Sequence, residues 1–172
     1  KWMPKIVLAC GEIISKSHKL LVLTGNIEEL IGLIGKLKVT YFNLDKISAK
    51  KTLLNVRLTK IQTDLIAIIQ SLQTTPKVES KFGASRFPKE KVKDLEEAVN
   101  TLPERKEQKE DIIPGNSLFE ADVYYIWAVT KRVERMLLTY KDIKLGIVVG
   151  IYVKQYLDML TTYFFRLVSV IP

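Results

Sequence analysis

Apolar residues recur at three- and four-residue steps along most of this chain, and that period marks helices with one buried face. Leu30, Leu33, Ile34 and Leu37 form the first clear stripe. Asn26 with Glu29 three residues later has the form of a capping box, with Gly25 marking a turn before it, so a helix is expected over about Ile27 to Val39. After an irregular Thr40 to Lys46, the residues Leu54, Leu58, Ile61, Leu65, Ile68, Ile69 and Leu72 predict a long second helix that stops before Pro76. Thr74 to Phe87 carries Pro76, Ser80, Gly83 and Ser85 among charges and reads as a loop. Pro88 then suits a first helical position, and Val92, Leu95, Val99 and Leu102 predict a short surface helix before Pro103, with Asp94, Glu96 and Glu97 on its wet side. Pro103 to Asn116 is polar, and Ser117 with Glu120 forms a second capping box that opens a further helix. Thr139 to Asp142 reads as a short turn, with a last helix running to the C-terminus. Short connections between long helices favour antiparallel neighbours, which predicts an all-α, five-helix, up-and-down bundle formed as one domain over residues 1–172.

Composition narrows the classes. With 172 residues, 47% of them hydrophobic and 27% charged, the chain is long enough to bury a substantial core as one globular unit. The apolar segment from Leu145 to Ile171 is interrupted by Lys154, Gln155, Asp158 and Arg166, whereas a membrane span needs roughly 20 largely apolar residues. It is expected to be buried in a bundle or against another copy, and no membrane role follows. Cys10 is the only cysteine and His18 the only histidine, which argues against a disulfide, a cysteine cluster or a histidine-ligated zinc. No secretion signal is recognisable, so a reducing cytoplasm is expected. The net charge of +8 favours anionic partners, but the lysines are dispersed and no recognition helix is evident, which makes nucleic acid the weaker choice.

The candidate chemistry lies in Ala128 to Leu138, where Lys131, Arg132, Glu134 and Arg135 interrupt an apolar helical pattern. On a helix, Trp127, Lys131, Glu134 and Arg135 share a face and could present cations beside a flat ring. An exposed helix laced with salt bridges would show the same spacing. Phosphate-loop, dinucleotide-binding, nucleophile-elbow and zinc-protease motifs are absent.

Seven motifs occur in order: Gly11-x-x-x-Ser15-Lys16; Gly25-x-x-Glu28-Glu29-Leu30-x-x-x-x-Gly35; Ile61-Gln62-x-Asp64-Leu65; Phe87-Pro88-Lys89-Glu90; Ile113-Pro114-Gly115; Lys131-Arg132-x-Glu134-Arg135; and Leu157-Asp158. Together they resemble the PduO-type cob(I)alamin adenosyltransferases over about Gly11 to Arg166. The resemblance implies a five-helix bundle assembling as a homotrimer, with sites between subunits. It also implies ATP with magnesium and cobalamin as the ligands, the 5′-deoxyadenosyl group passing to reduced cobalt with release of triphosphate. Carried over by position, Ser15 and Lys16 correspond to a triphosphate-holding segment, and Glu29 to an acid that braces a basic residue. Lys131, Arg132, Glu134 and Arg135 occupy the basic cluster, and Asp158 matches an aspartate that pairs with one of its arginines, here Arg135. Lys131, Arg135 and Asp158 are thus the catalytic candidates, and Ser15, Lys16, Glu29, Arg132 and Glu134 the binding ones.

The chain also departs from that pattern. The family's N-terminal phosphate-wrapping motif has no counterpart in Lys1 to Gly11, and Trp127 and Lys131 each replace an arginine. Lysine keeps the charge of an arginine but loses its planar fork. Ile31, Lys154 and Leu157 replace two asparagines and a serine, and Asp111 stands where a phenylalanine is frequent. Two functions stay open: an adenosyltransferase with a degenerate ATP site, and a non-catalytic relative whose trimeric bundle binds another anion, a corrinoid or a protein, with no cofactor.

Overall fold

The computed structural model describes residues 4–8, 11–42, 49–74, 87–104 and 113–168, with Phe42 described by its backbone alone. Among the described residues five helices dominate: α1 (Lys19–Phe42), α2 (Ala49–Leu72), α3 (Lys89–Thr101), α4 (Leu118–Thr139) and α5 (Ile151–Val168). Two small antiparallel hairpins accompany them. In the first, β1 (Lys5–Val7) pairs with β2 (Ile13–Ser15), and in the second β3 (Lys141–Asp142) pairs with β4 (Ile147–Val148).

The first helix starts well before its expected boundary. Leu20, Leu23, Ile27, Leu30, Ile34 and Leu37 are all buried, and their alternating three- and four-residue steps draw one core-facing stripe through Gly25 and Asn26. Burial outweighs the cost of a mid-helix glycine, about 1 kcal/mol. Asn26 is therefore no cap. Its side-chain amide donates to the Val22 carbonyl at 2.7 Å, inside the helix. The Ser117 cap is borne out: its hydroxyl accepts the Glu120 backbone N–H at 3.1 Å and opens α4. Pro88 is the residue before the first helical one in α3, a shift of one position.

Cross-links set the helix directions. Lys36 to Asp122 and Glu29 to Arg132 run α1 antiparallel to α4, while Trp127 to Phe165 and Glu134 to Thr161 run α4 antiparallel to α5. Lys38 to Thr59 and Ile31 to Gln62 do the same for α1 and α2. Phe87 packs on Tyr156 and Arg166 donates to the Val99 carbonyl, so α3 and α5 lie parallel. This is the expected up-and-down bundle, with α5 buried through Val153, Tyr156, Leu157, Leu160, Tyr163, Phe164, Leu167 and Val168. None of the described helices is long and apolar enough to cross a membrane.

The connection into α5 differs from the expected short turn. Gly146 at φ +67° allows the reversal between β3 and β4, and Asp142 Oδ1 accepts the Leu145 N–H at 3.0 Å inside it. Leu145, Ile147 and Val148 thus belong to a hairpin, and α5 begins only at Ile151. Asp94 is also not on a wet face: it turns to α2 and pairs with Arg57 and Lys60. The loop expected over Thr74 to Phe87 lies largely outside the described residues, as do Cys10 and Asp111.

Candidate functional site

The basic helix α4 uses its charges in two ways. Arg132 reaches sideways to Glu29 of α1 and forms an ion pair, so Glu29 braces a cation and does not cap a helix. Glu134 turns the other way, and its Oε2 accepts the Thr161 hydroxyl of α5 at 2.7 Å. These two residues fix α4 between its neighbours.

Lys131 and Arg135 remain between the braces. The Lys131 ammonium lies 3.4 Å from the centroid of the Trp127 ring, a cation–π contact along the expected shared face. Trp127 in turn packs on Phe165 at 5.2 Å and edge-on to Tyr124 at 5.4 Å. Burial, and after it the neighbouring Arg135 charge, lower the Lys131 pKa below the usual lysine value. The Trp127 indole N–H is buried with no acceptor among the described residues. Arg135 is exposed, and no carboxylate of the described residues pairs with it. Lys131, partly desolvated, and Arg135, exposed and without a carboxylate partner among the described residues, give this face two cations suited to an anion.

The expected Arg135–Asp158 pair is not formed within the chain. Asp158 lies with Ile151 and Gln155 on the exposed stripe of α5, where water solvates a carboxylate and no partner is required. Ser15 and Lys16 sit elsewhere, Ser15 as the last residue of β2 and Lys16 on the connection from β2 to α1. The Ser15 hydroxyl lies 2.9 Å from that of Ser17, and the Lys16 N–H donates to the Pro4 carbonyl at 3.0 Å, closing the hairpin. The Lys16 side chain is exposed. Because α1 and α4 are antiparallel, this connection stands at the C-terminal end of α4. Arg135 to Thr139 spans only about 6 Å of helix rise, so Lys16 belongs to the same end of the bundle as Arg135.

Sequence reasoning missed the residue that joins these parts. His18 precedes α1, and its Nδ1 accepts the Leu20 N–H at 3.2 Å while its Nε2 lies 3.1 Å from Asp142 Oδ2. A histidine just before a periodic apolar run was the available signal. A second unanticipated cluster lies between α2, α3 and α5: Asp64, 2% exposed, pairs with Lys91 and accepts the Tyr156 hydroxyl at 3.0 Å.

Residues 6–171 match the family model described as cobalamin adenosyltransferase. No curated protein matches the chain. Among solved structures, the chain is similar to PduO-type ATP:corrinoid adenosyltransferase from Lactobacillus reuteri in several variants. A phenylalanine-to-alanine variant complexed with cobalamin and ATP aligns with a TM-score of 0.72 and 20% identity, over 95% of this chain and 86% of that one. A phenylalanine-to-histidine variant, also complexed with cobalamin and ATP, aligns with a TM-score of 0.71 and 20% identity, over 95% and 83%. An arginine-to-lysine variant complexed with ATP aligns with a TM-score of 0.71 and 21% identity, over 95% and 86%.

Proposed function

The chain belongs to the cobalamin adenosyltransferase family, and from that premise we propose that it binds ATP and a corrinoid and transfers the 5′-deoxyadenosyl group between them. The observation that carries this reading is the Lys131 and Arg135 face of α4, without carboxylate partners among the described residues while Arg132 and Glu134 brace the helix. In the transfer, the reduced cobalt of the corrinoid attacks C5′ of ATP, a cobalt–carbon bond forms, the C5′–oxygen bond breaks and triphosphate leaves with that electron pair. Lys131, Arg135 and Lys16 would hold the phosphates and offset the charge that builds on the leaving group, with magnesium arriving on the nucleotide. Glu29 and Ser15 act indirectly, the first through Arg132 and the second through the turn that carries Lys16. Asp158, exposed and without a cationic partner among the described residues, would meet a cation of an adjacent subunit in a homotrimer. A single domain over residues 1–172 and a cytoplasmic location complete this reading.

A second reading is favoured by one contact. Lys131 resting on Trp127 is a cation held by the protein's own ring. A non-catalytic relative would keep it there and use the bundle to bind another anion, a corrinoid or a protein. Calorimetric titration with MgATP, followed by an adenosylation assay with chemically reduced cobalamin, separates the two. Micromolar binding and turnover support the transferase, whereas no heat at millimolar ATP supports the second reading.

A further inference from the structure

We propose that His18 is a positioning residue that locks the two hairpins together and so holds Ser15 and Lys16 over the C-terminal end of α4. This rests on the reading of Lys16 as a phosphate-holding cation. The imidazole makes one hydrogen bond and one close contact, with different demands on its two nitrogens. Nδ1 accepts the Leu20 N–H at 3.2 Å, which requires a bare nitrogen. Nε2 then carries the proton of the neutral ring, and it lies 3.1 Å from Asp142 Oδ2. The neutral Nε2–H tautomer alone leaves Nδ1 bare for Leu20 and puts a proton on the nitrogen nearest Asp142.

Asp142 passes the constraint onward, because its other oxygen accepts the Leu145 N–H at 3.0 Å inside the β3–β4 reversal. One relay therefore runs from the first turn of α1, through His18 and Asp142, to the turn that follows α4. The backbone of His18 strengthens it: its N–H donates to the Ser15 carbonyl at 2.9 Å, and its carbonyl accepts Leu21 and Val22 at 2.9 and 3.2 Å. Lys16, between Ser15 and His18, is tied to Pro4 on the far side. The segment carrying the candidate cation is thus clamped at both ends. A plain helix cap would need only the Nδ1 bond, and a serine or aspartate makes that bond as well. The ring is required because it spans from α1 to β3. Partial burial shields the contact, with the His18 and Asp142 side chains 28% and 14% exposed.

His18→Asn tests the lock, since asparagine keeps a cap acceptor but is too short to reach Asp142. ATP KM is expected to rise about tenfold with kcat changed less than twofold. Asp142→Ala should do the same, and the double variant should add nothing further. A thermal shift with unchanged KM would reduce His18 to a structural cap and overturn the proposal. Should the wild-type protein not bind ATP at all, the phosphate reading fails, and the lock is still tested by hydrogen exchange. Faster exchange in both residues 5–16 and 141–148 of His18→Asn supports it, and change confined to the first turn of α1 refutes it. Nitrogen NMR of the only histidine should show the Nε2–H tautomer; the other tautomer would contradict the geometry.

Discussion

Two charged clusters in this bundle differ in what satisfies them. Between α2, α3 and α5, Asp64 is almost wholly buried, and the protein supplies both of its partners, Lys91 and Tyr156. On α4, Lys131 rests on a ring and Arg135 has no carboxylate among the described residues. The first cluster is internally satisfied, since the Asp64 and Lys91 charges offset one another and the Tyr156 hydroxyl takes the second carboxylate oxygen. The second is open, since Lys131 is partly desolvated and neither it nor the exposed Arg135 meets a carboxylate among the described residues. Unmet charge is the better guide to a binding surface, and a dense salt-bridge network is a better guide to architecture.

The largest effect is expected in the internally satisfied cluster. Asp64→Ala strands the Lys91 ammonium and should cost about 3–5 kcal/mol in denaturant unfolding. A loss below 1 kcal/mol would mean that water already reaches the pair. In the open cluster, Lys131→Ala and Arg135→Ala should each weaken ATP binding by about 1.5–3 kcal/mol in titration calorimetry, while the exposed Lys89→Ala should have little effect. Equal losses for all three would remove the distinction between the regions.

Alkaline titration sharpens the contrast further. Burial, then the Asp64 charge, push the Tyr156 hydroxyl well above its usual value, and burial pushes Tyr140 and Tyr163 up to about 12. Their folded-state values are raised, so this stability is fully present below pH 10 and is lost as pH rises above it, when only the unfolded chain ionises. Between pH 10 and 12, Tyr156→Phe should reduce that slope by about 1.4 kcal/mol per pH unit, measured by chemical denaturation. Smallest of all is the exposed Glu29–Arg132 brace. Glu29→Gln should cost less than about 1 kcal/mol of stability, with any larger change appearing in ATP affinity through a displaced α4.

Most helices were legible because their determinants are local. The steps from Leu54 to Leu72, the residues Val92 to Leu102 and the Ser117 cap lie within one or two turns of the structure they specify, and each matches an observed helix. The hairpins were not legible. Strands of two and three residues carry too little pattern to detect, and a turn such as Asp142 to Gly146 resembles the start of a helix until the pairing is formed. The candidate site was legible as a set of residue types, and the resemblance named the right family. Its internal partners were less accessible: Arg135 and Asp158 do not pair within the chain, and His18 was weighed only as a possible zinc ligand.

The sequence alone determined an all-helical chain, the approximate course of α2 to α5 and a cationic face on α4, because hydrogen bonds between near neighbours and a 3.6-residue period fix such features. Only the tertiary structure decided which charges remain free. Glu29 meets Arg132 103 residues away, and Asp64 meets Tyr156 92 residues away. Partners at that separation are set by how helices pack, through burial that no local pattern encodes. The same packing extended α1 through Asn26, turned Asp158 to water and placed the single histidine between two hairpins.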